Sequence, residues 1–366
     1  MDGELVSTLD LLKRFLDPAR YRDGIARLSD LHLTVGQPAT YRLDGELVRL
    51  VGAAPLSASA LEGLLFPLLT GDQVQKLAGP ALADVDAGFE WKEEGVSFRI
   101  NAFHERNGLA AAIRVLPKKV PDVSAVGFPS ERVWKEILEL RQGLVIVTGI
   151  TGSGKSTTIA SLIHRLNKSA HVRIITLEDP IEYVLESGSA LISQREVGKH
   201  LSAFHTGLRS ALREDPDVIF VGEMRDAETT SLALTAAETG HLVLSTMHTK
   251  DSRGVLSRIV DLFPPERSKE VCAQLSFSLS CVLAQKLVPR SDGNGQRVAM
   301  EVLKNLPAVA NLIRTGQWHQ IYSQMETQRR QGLITLERHL EDLLERGEIT
   351  KETAARYSNV SSLVDR

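Results

Sequence analysis

Eight consecutive residues, Gly149-Ile150-Thr151-Gly152-Ser153-Gly154-Lys155-Ser156, satisfy the spacing G-x-x-x-x-G-K-[ST], a spacing suited to gripping a polyphosphate. The glycines let backbone N–H groups turn inward, and a helix opening near Lys155 adds the partial positive charge of its first turn, which runs on through Thr157. Lys155 is placed to reach the β- and γ-phosphates of ATP, and Ser156 to hold Mg2+. The context agrees, because the apolar run Leu144–Val147 precedes the loop and a helical pattern follows it. A glycine-rich turn that merely happens to precede a helix is the competing reading.

Acidic residues and histidines stand at comparable points. Asp217-Val218-Ile219-Phe220-Val221-Gly222-Glu223 reads as a buried strand delivering a carboxylate at its C-terminal end, where open α/β sheets bind ligands. Glu223 is the candidate for orienting and activating an attacking water. Gly222 occupies the place where an Asp commonly serves the metal, so that support must come from elsewhere. Glu178-Asp179-Pro180-Ile181-Glu182 offers three carboxylates on a loop started by Pro180. Asp179 and Glu182 join Ser156 as candidate metal ligands, and Glu178 and Glu182 are candidates to support metal or water. The same loop also reads as a solvated acidic surface. His241 and His248 flank the strand Leu242–Thr246. Lone histidines are more often core residues than ligands, and His248, on the same strand-end side as Glu223, is better placed to face a γ-phosphate.

The elements that must position these groups form an α/β pattern. Leu144–Val147, Arg173–Leu177, Val218–Val221 and Leu242–Ser245 alternate with helical stretches, as strands of a mainly parallel sheet do. Residues 1–117 read as a small α+β domain: Leu5, Leu9, Leu12 and Leu16 recur at helical spacing, and Asp44-Gly45 is a hairpin signal. Strands are expected at Leu31–Leu33, Val96–Ile100 and Ala111–Val115. Pro117 to Pro121, followed by Gly127 and Pro129, mark a linker over 118–130. The ATPase domain spans 131–300, and 301–366 form a helical C-terminal region with Leu333, Leu336, Leu340, Leu343 and Leu344 on one stripe and Glu337, Arg338, Glu341 and Glu345 off it.

Bulk properties narrow the functional classes. The chain has 366 residues, 43% apolar and 24% charged, with net charge −3. That balance lacks the basic footprint of a nucleic-acid partner and argues against a DNA translocase. Cys272 and Cys281 supply neither a disulfide framework nor a zinc site. No run reaches the roughly 18 apolar residues of a membrane span, and the first residues lack a secretory signal pattern. A cytoplasmic protein touching a membrane only peripherally, through partners, is expected.

Taken together, these residues resemble the secretion ATPases of type II, type IV pilus and type IV secretion systems, over nearly the whole chain. The phosphate loop, an acidic box at Thr176–Tyr183, a second acidic box from Asp215 to Asp226 and a histidine box from Glu238 to Thr249 occur in that family's order. The resemblance implies a PAS-like N-terminal domain joined to a RecA-like P-loop domain in a homohexamer. It also implies ATP and Mg2+ as ligands and an inner-membrane pilus platform protein as partner. Arg99, Arg114 and Arg258 match family positions that approach phosphates, while each also reads as an ordinary solvated arginine. The absence of four zinc-binding cysteines favours the branch that retracts pili in twitching motility. Two departures keep accessory and assembly motors open: Ala310 replaces the first arginine of the retraction signature within Ala308–Arg314, and Lys250 stands where the family often has Asn. A nucleotide-gated regulator with little hydrolysis is a further alternative.

Overall fold

The computed structural model describes residues 7–17, 21–22, 25–43, 45–79, 83–116 and 119–360. Leu5 of the first helix, Asp44 of the hairpin, and Pro117 and Lys118 of the linker lie outside the described residues. The chain divides into two units, Met1–Lys119 and Val120–Arg366.

The first unit opens with α1 (Thr8–Lys13), started by a Ser7–Asp10 capping box. The helix phase differs from the expected stripe. Leu9 is 45% exposed while Leu11, Leu12 and Phe15 are buried in the core of this unit, and Thr8 Oγ1 donates to Leu64 O at 2.9 Å. A two-stranded ribbon of β1 (Tyr21–Arg22) and β2 (Ile25–Ala26) precedes β3 (Leu28–Thr34), β4 (Thr40–Leu43) and β5 (Glu46–Arg49). Leu43 pairs with Glu46, the register that the expected hairpin requires, and Gly45 takes φ +91°. Then follow α2 (Ala58–Leu65), α3 (Gly71–Ala78), β6 (Val85–Trp91), β7 (Val96–Glu105) and β8 (Gly108–Val115). The six-stranded sheet, β5-β4-β3-β8-β7-β6, is antiparallel. One face buries Leu31, Tyr41, Phe98, Ile100 and Ile113 against Leu11, Phe15, Leu61 and Leu65 of the helices.

The second unit holds α4 (Glu131–Glu139), β9 (Gly143–Thr148), α5 (Lys155–Ser169), β10 (Arg173–Glu178), β11 (Leu191–Glu196), α6 (Phe204–Ala211), β12 (Val218–Val221), α7 (Ala227–Glu238) and β13 (Leu242–Met247). These lead to α8 (Ser252–Asp261), α9 (Ser268–Ser278), β14 (Leu279–Pro289) and β15 (Gln296–Lys304). Last come α10 (Pro307–Arg314), α11 (Ile321–Thr327), α12 (Leu336–Glu345) and α13 (Lys351–Tyr357). The sheet order is β11-β10-β12-β13-β9-β14-β15, parallel except for β15.

Side chains alternate between two cores. Leu144, Ile146, Ile219, Val221 and Val243 pack toward α7 and α9, while Val145, Val147, Val218, Phe220 and Leu244 pack toward α4 and α5. With both faces buried, polar chemistry can only stand beyond strand ends. Glu337, expected off the apolar stripe of α12, is itself buried, accepting from Tyr322 Oη at 3.1 Å and Asn359 N at 2.8 Å. No helix among the described residues is long and apolar enough to cross a membrane.

Candidate functional site

Four parallel strands end along one edge. Thr148 pairs with Met247 and Leu177 with Val221, so the segments leaving β9, β10, β12 and β13 emerge side by side. Beyond β9 the loop Gly149–Gly154 curls back into α5. Gly149 has φ +151°, and a Cβ there would lie 2.4 Å from Gln285 O and 2.5 Å from Ser153 Oγ, so only glycine fits. Gly152 and Gly154 take φ +79° and +86°. Gly154 begins α5 without a side-chain cap, leaving its first N–H groups to a ligand. The buried Ser153 Oγ also has no protein partner. A glycine-shaped cradle with uncapped amides fits phosphate groups.

Lys155 is buried, its Nζ donating to Gly149 O at 2.9 Å and Ile150 O at 3.1 Å, which holds the ammonium across the loop. Burial lowers its pKa, and the charges of Glu223 and Glu182 oppose that shift. Gln285 of β14 braces the loop, donating from Nε2 to Ser153 O at 2.6 Å and accepting from Thr158 Oγ1 at 2.9 Å.

Glu223, one residue past Gly222, is 18% exposed, and two basic groups meet the same oxygen: Arg225 Nη2 lies 2.8 Å and His248 Nε2 3.4 Å from Oε2. The glycine at 222 has a steric reason, since a Cβ would sit 3.1 Å from Leu177 O and 3.4 Å from the Phe204 ring. Asp217 and Asp226 of the same box are structural. Asp217 Oδ2 accepts from Arg173 N at 2.7 Å, and Asp226 caps α7 through Thr229 N at 2.8 Å.

The acidic loop does not act as one cluster. Glu178 is buried, its carboxylate accepting from Thr176 Oγ1 at 2.6 Å and Gln194 Nε2 at 3.0 Å, and burial raises its pKa. Asp179 and Glu182 are exposed. Tyr183 ties this loop to α5 through a 2.9 Å hydrogen bond between its hydroxyl and Thr157 Oγ1. Among the described residues no three acidic, histidine or cysteine side chains form a metal cluster. Ser156 with one carboxylate is the donor set that suits Mg2+ held largely by phosphates and water.

The two histidines part company. His248 joins Glu223, whereas His241 lies at the opposite sheet edge, where Leu242 pairs with Gly143 at the start of β9. Met247 lies five residues further along the strand than Leu242, about 16–17 Å, and His241 Nδ1 instead contacts Ala236 O at 3.0 Å. Within the chain His241 thus makes a helix-end contact and is not brought together with Glu223. Arg258 is exposed on the last turn of α8. In the first unit Arg99 and Arg114 are directly paired across β7 and β8. Arg114 Nε lies 2.7 Å from the buried Asp30, and Arg99 3.9 Å from Asp86. Arg225, Gln285 and Tyr183 were not singled out in the sequence. A lone Gln inside the apolar run of β14 was the one local signal.

A parallel sheet with a phosphate loop after one strand, and with a carboxylate and a histidine beyond its neighbours, defines a P-loop nucleotide-binding protein. The chain belongs to the type II/IV secretion system protein family, whose pattern matches residues 83–355. Over 333 residues it is 41% identical to the type IV pilus retraction ATPase PilT of Pseudomonas aeruginosa, spanning 91% of this chain and 94% of that protein. It is 45% identical over 312 residues to the uncharacterised protein YggR of Escherichia coli, 85% of this chain and 92% of that one. A crystal structure of the pilus retraction motor PilT with bound ADP superposes with TM-score 0.84 at 40% identity, covering 97% of each chain. The α/β class expected from the sequence, an N-terminal sheet domain followed by a P-loop domain, is the one found.

Proposed function

We propose that this protein is an Mg2+-dependent, ATP-hydrolysing motor that powers retraction of type IV pili, working as a homohexamer on an inner-membrane platform protein from the cytoplasmic side. The observation that carries the reading is the pairing of Glu223 with His248 past the strand ends, beside an uncapped phosphate loop that holds Lys155. Likeness to PilT over nearly the whole chain supports the biological role.

The loop amides of Gly149–Thr157 and the Lys155 ammonium bind the β- and γ-phosphates. Ser156 and Glu182 would hold Mg2+, with Asp179 nearby in sequence; the ion supplies charge neutralisation on the phosphate oxygens. Arg225 and His248 engage Oε2 of Glu223, which leaves Oε1 to accept a proton of the attacking water and aim it at the γ-phosphorus. His248 stands where it can register the γ-phosphate. Glu178, protonated more readily than usual, acts on the acidic loop's shape rather than on water. Arg99, Arg114 and Arg258 reach phosphates only when a domain or neighbouring subunit moves, which ties hydrolysis to motion. The linker expected over 118–130 would be the hinge for that movement.

Steady-state phosphate release from the purified protein tests the chemistry: ATP turnover is expected, and its absence would support the nucleotide-gated regulator instead. Restoring pilus retraction in a deletion strain with wild type, but not with Glu223→Gln, tests the role. Normal retraction in the deletion strain would point to an accessory or assembly motor.

A further inference from the structure

Thr148 is the last residue of β9, fully buried and immediately before Gly149. Its hydroxyl does not serve the phosphate loop. Oγ1 accepts from Thr249 N at 2.9 Å and lies 3.1 Å from Met247 O, 3.0 Å from Thr249 O and 2.9 Å from Thr249 Oγ1. Thr249 Oγ1 sends its own proton on to Asp251 O at 3.1 Å. One side chain on the stem of the phosphate loop thus grips both residues flanking His248.

The far end of the His248 segment is fixed as well. Asp251 caps α8 through Gly254 N at 2.8 Å, and Ser252 donates from N and Oγ to Glu301 Oε1 at 2.8 and 2.5 Å. Glu301 is buried on β15, and burial raises its pKa. Asp251 and Ser252 thus fix one end of the segment 248–251, and Thr148 holds its other end through Thr249. His248 in turn contacts the oxygen of Glu223 that also meets Arg225.

We propose that Thr148 is a positioning residue whose hydroxyl carries a change in the phosphate loop to His248, and through it to Glu223. Contiguous hydrogen bonds between packed groups are the physical means of such coupling. Its function follows from geometry, since Thr148 itself touches no phosphate-binding atom through its side chain. The inference rests on the nucleotide-hydrolysing reading of the site.

The test compares Thr148→Val, which keeps the shape and loses the hydroxyl, with Thr148→Ser, which keeps the hydroxyl. Hydrogen exchange is followed with and without ADP, alongside ATP turnover. In wild type, ADP is expected to raise protection at 149–157 and also at 247–252. Thr148→Val should keep the first effect and lose the second, with kcat down roughly 10-fold and KM within about 2-fold. Thr148→Ser should restore both. Wild-type protection at 149–157 without any at 247–252 overturns the proposal even if the valine variant fails to fold. So does a valine variant with wild-type kcat, or one whose kcat and nucleotide affinity fall in parallel. No protection at 149–157 in wild type would instead overturn the nucleotide reading itself, and this inference with it.

Discussion

The two sheets of this molecule carry their charges in opposite places. In the seven-stranded sheet both faces are buried, and Glu223, His248 and Lys155 all stand just past strand ends. In the six-stranded sheet one face is buried and the other holds a row across four strands, Arg42, Asp30, Arg114 and Arg99, each directly opposite the next. A sheet sandwiched between helices can place chemistry only at an edge, with backbone ends and helix N-termini to assist it. A half-covered sheet can present a flat charged surface, with its arginines within strands rather than past their ends. The first arrangement suits a site; the second makes a charged surface.

The sharpest way to break this contrast is at the edge. Glu223→Gln should lower kcat by about 10²–10⁴ while nucleotide affinity stays within a few-fold, because an amide still fits but no longer takes the water's proton; phosphate release and calorimetry read the two effects separately. Arg99→Ala and Arg114→Ala should each cost at least about 10-fold in turnover of the assembled protein. Melting temperature should hardly move for Arg99→Ala, whose pair with Asp86 is exposed on both sides, and should fall for Arg114→Ala, which takes the 2.7 Å partner from the buried Asp30. Unchanged turnover would reduce them to an ordinary solvated face. The histidines compare the two edges of one strand: His248→Ala should slow turnover by about 10-fold, and His241→Ala by about 2-fold or less. Equal effects would undo the assignment by sheet edge.

The smallest effect is on stability. Burial, aided by Arg346, pushes His339 down to about 4, and its Nδ1 accepts from Met300 N at 2.9 Å. Folding keeps this imidazole neutral where the unfolded chain would protonate it. Its stabilisation is complete above about pH 6.5 and is lost as pH falls toward 4, on the order of 3 kcal/mol in all. Denaturant titrations across that window should show a slope that His339→Gln flattens.

Local patterns made the site's skeleton legible from sequence. The phosphate loop needs its glycines next to one another in the chain, and the first-unit strands alternate apolar and polar residues because one face is covered. What escaped depends on contacts between distant segments. Strands β14 and β15 were not anticipated, because α9 ends at Ser278 and β14 starts at Leu279 with no glycine or proline between, and an apolar run there suits helix or strand equally. Gln285 went unnoticed with them, although it braces Ser153 across the sheet. Glu337 looked like a surface residue of α12 until the C-terminal segment, through Asn359, covered it. Leu9 was expected on the inner stripe of α1 and is exposed, on a helix held by a hydrogen bond from Thr8 to a residue 56 positions away.

The central claim is that the corner from β9 into α5 grips a nucleotide's phosphates. Titrating Mg-ADP and Mg-ATP calorimetrically into wild type and Lys155→Ala tests it most directly. Saturable one-to-one binding per chain that the lysine variant loses is the expected result; no heat of association with wild type would contradict the account.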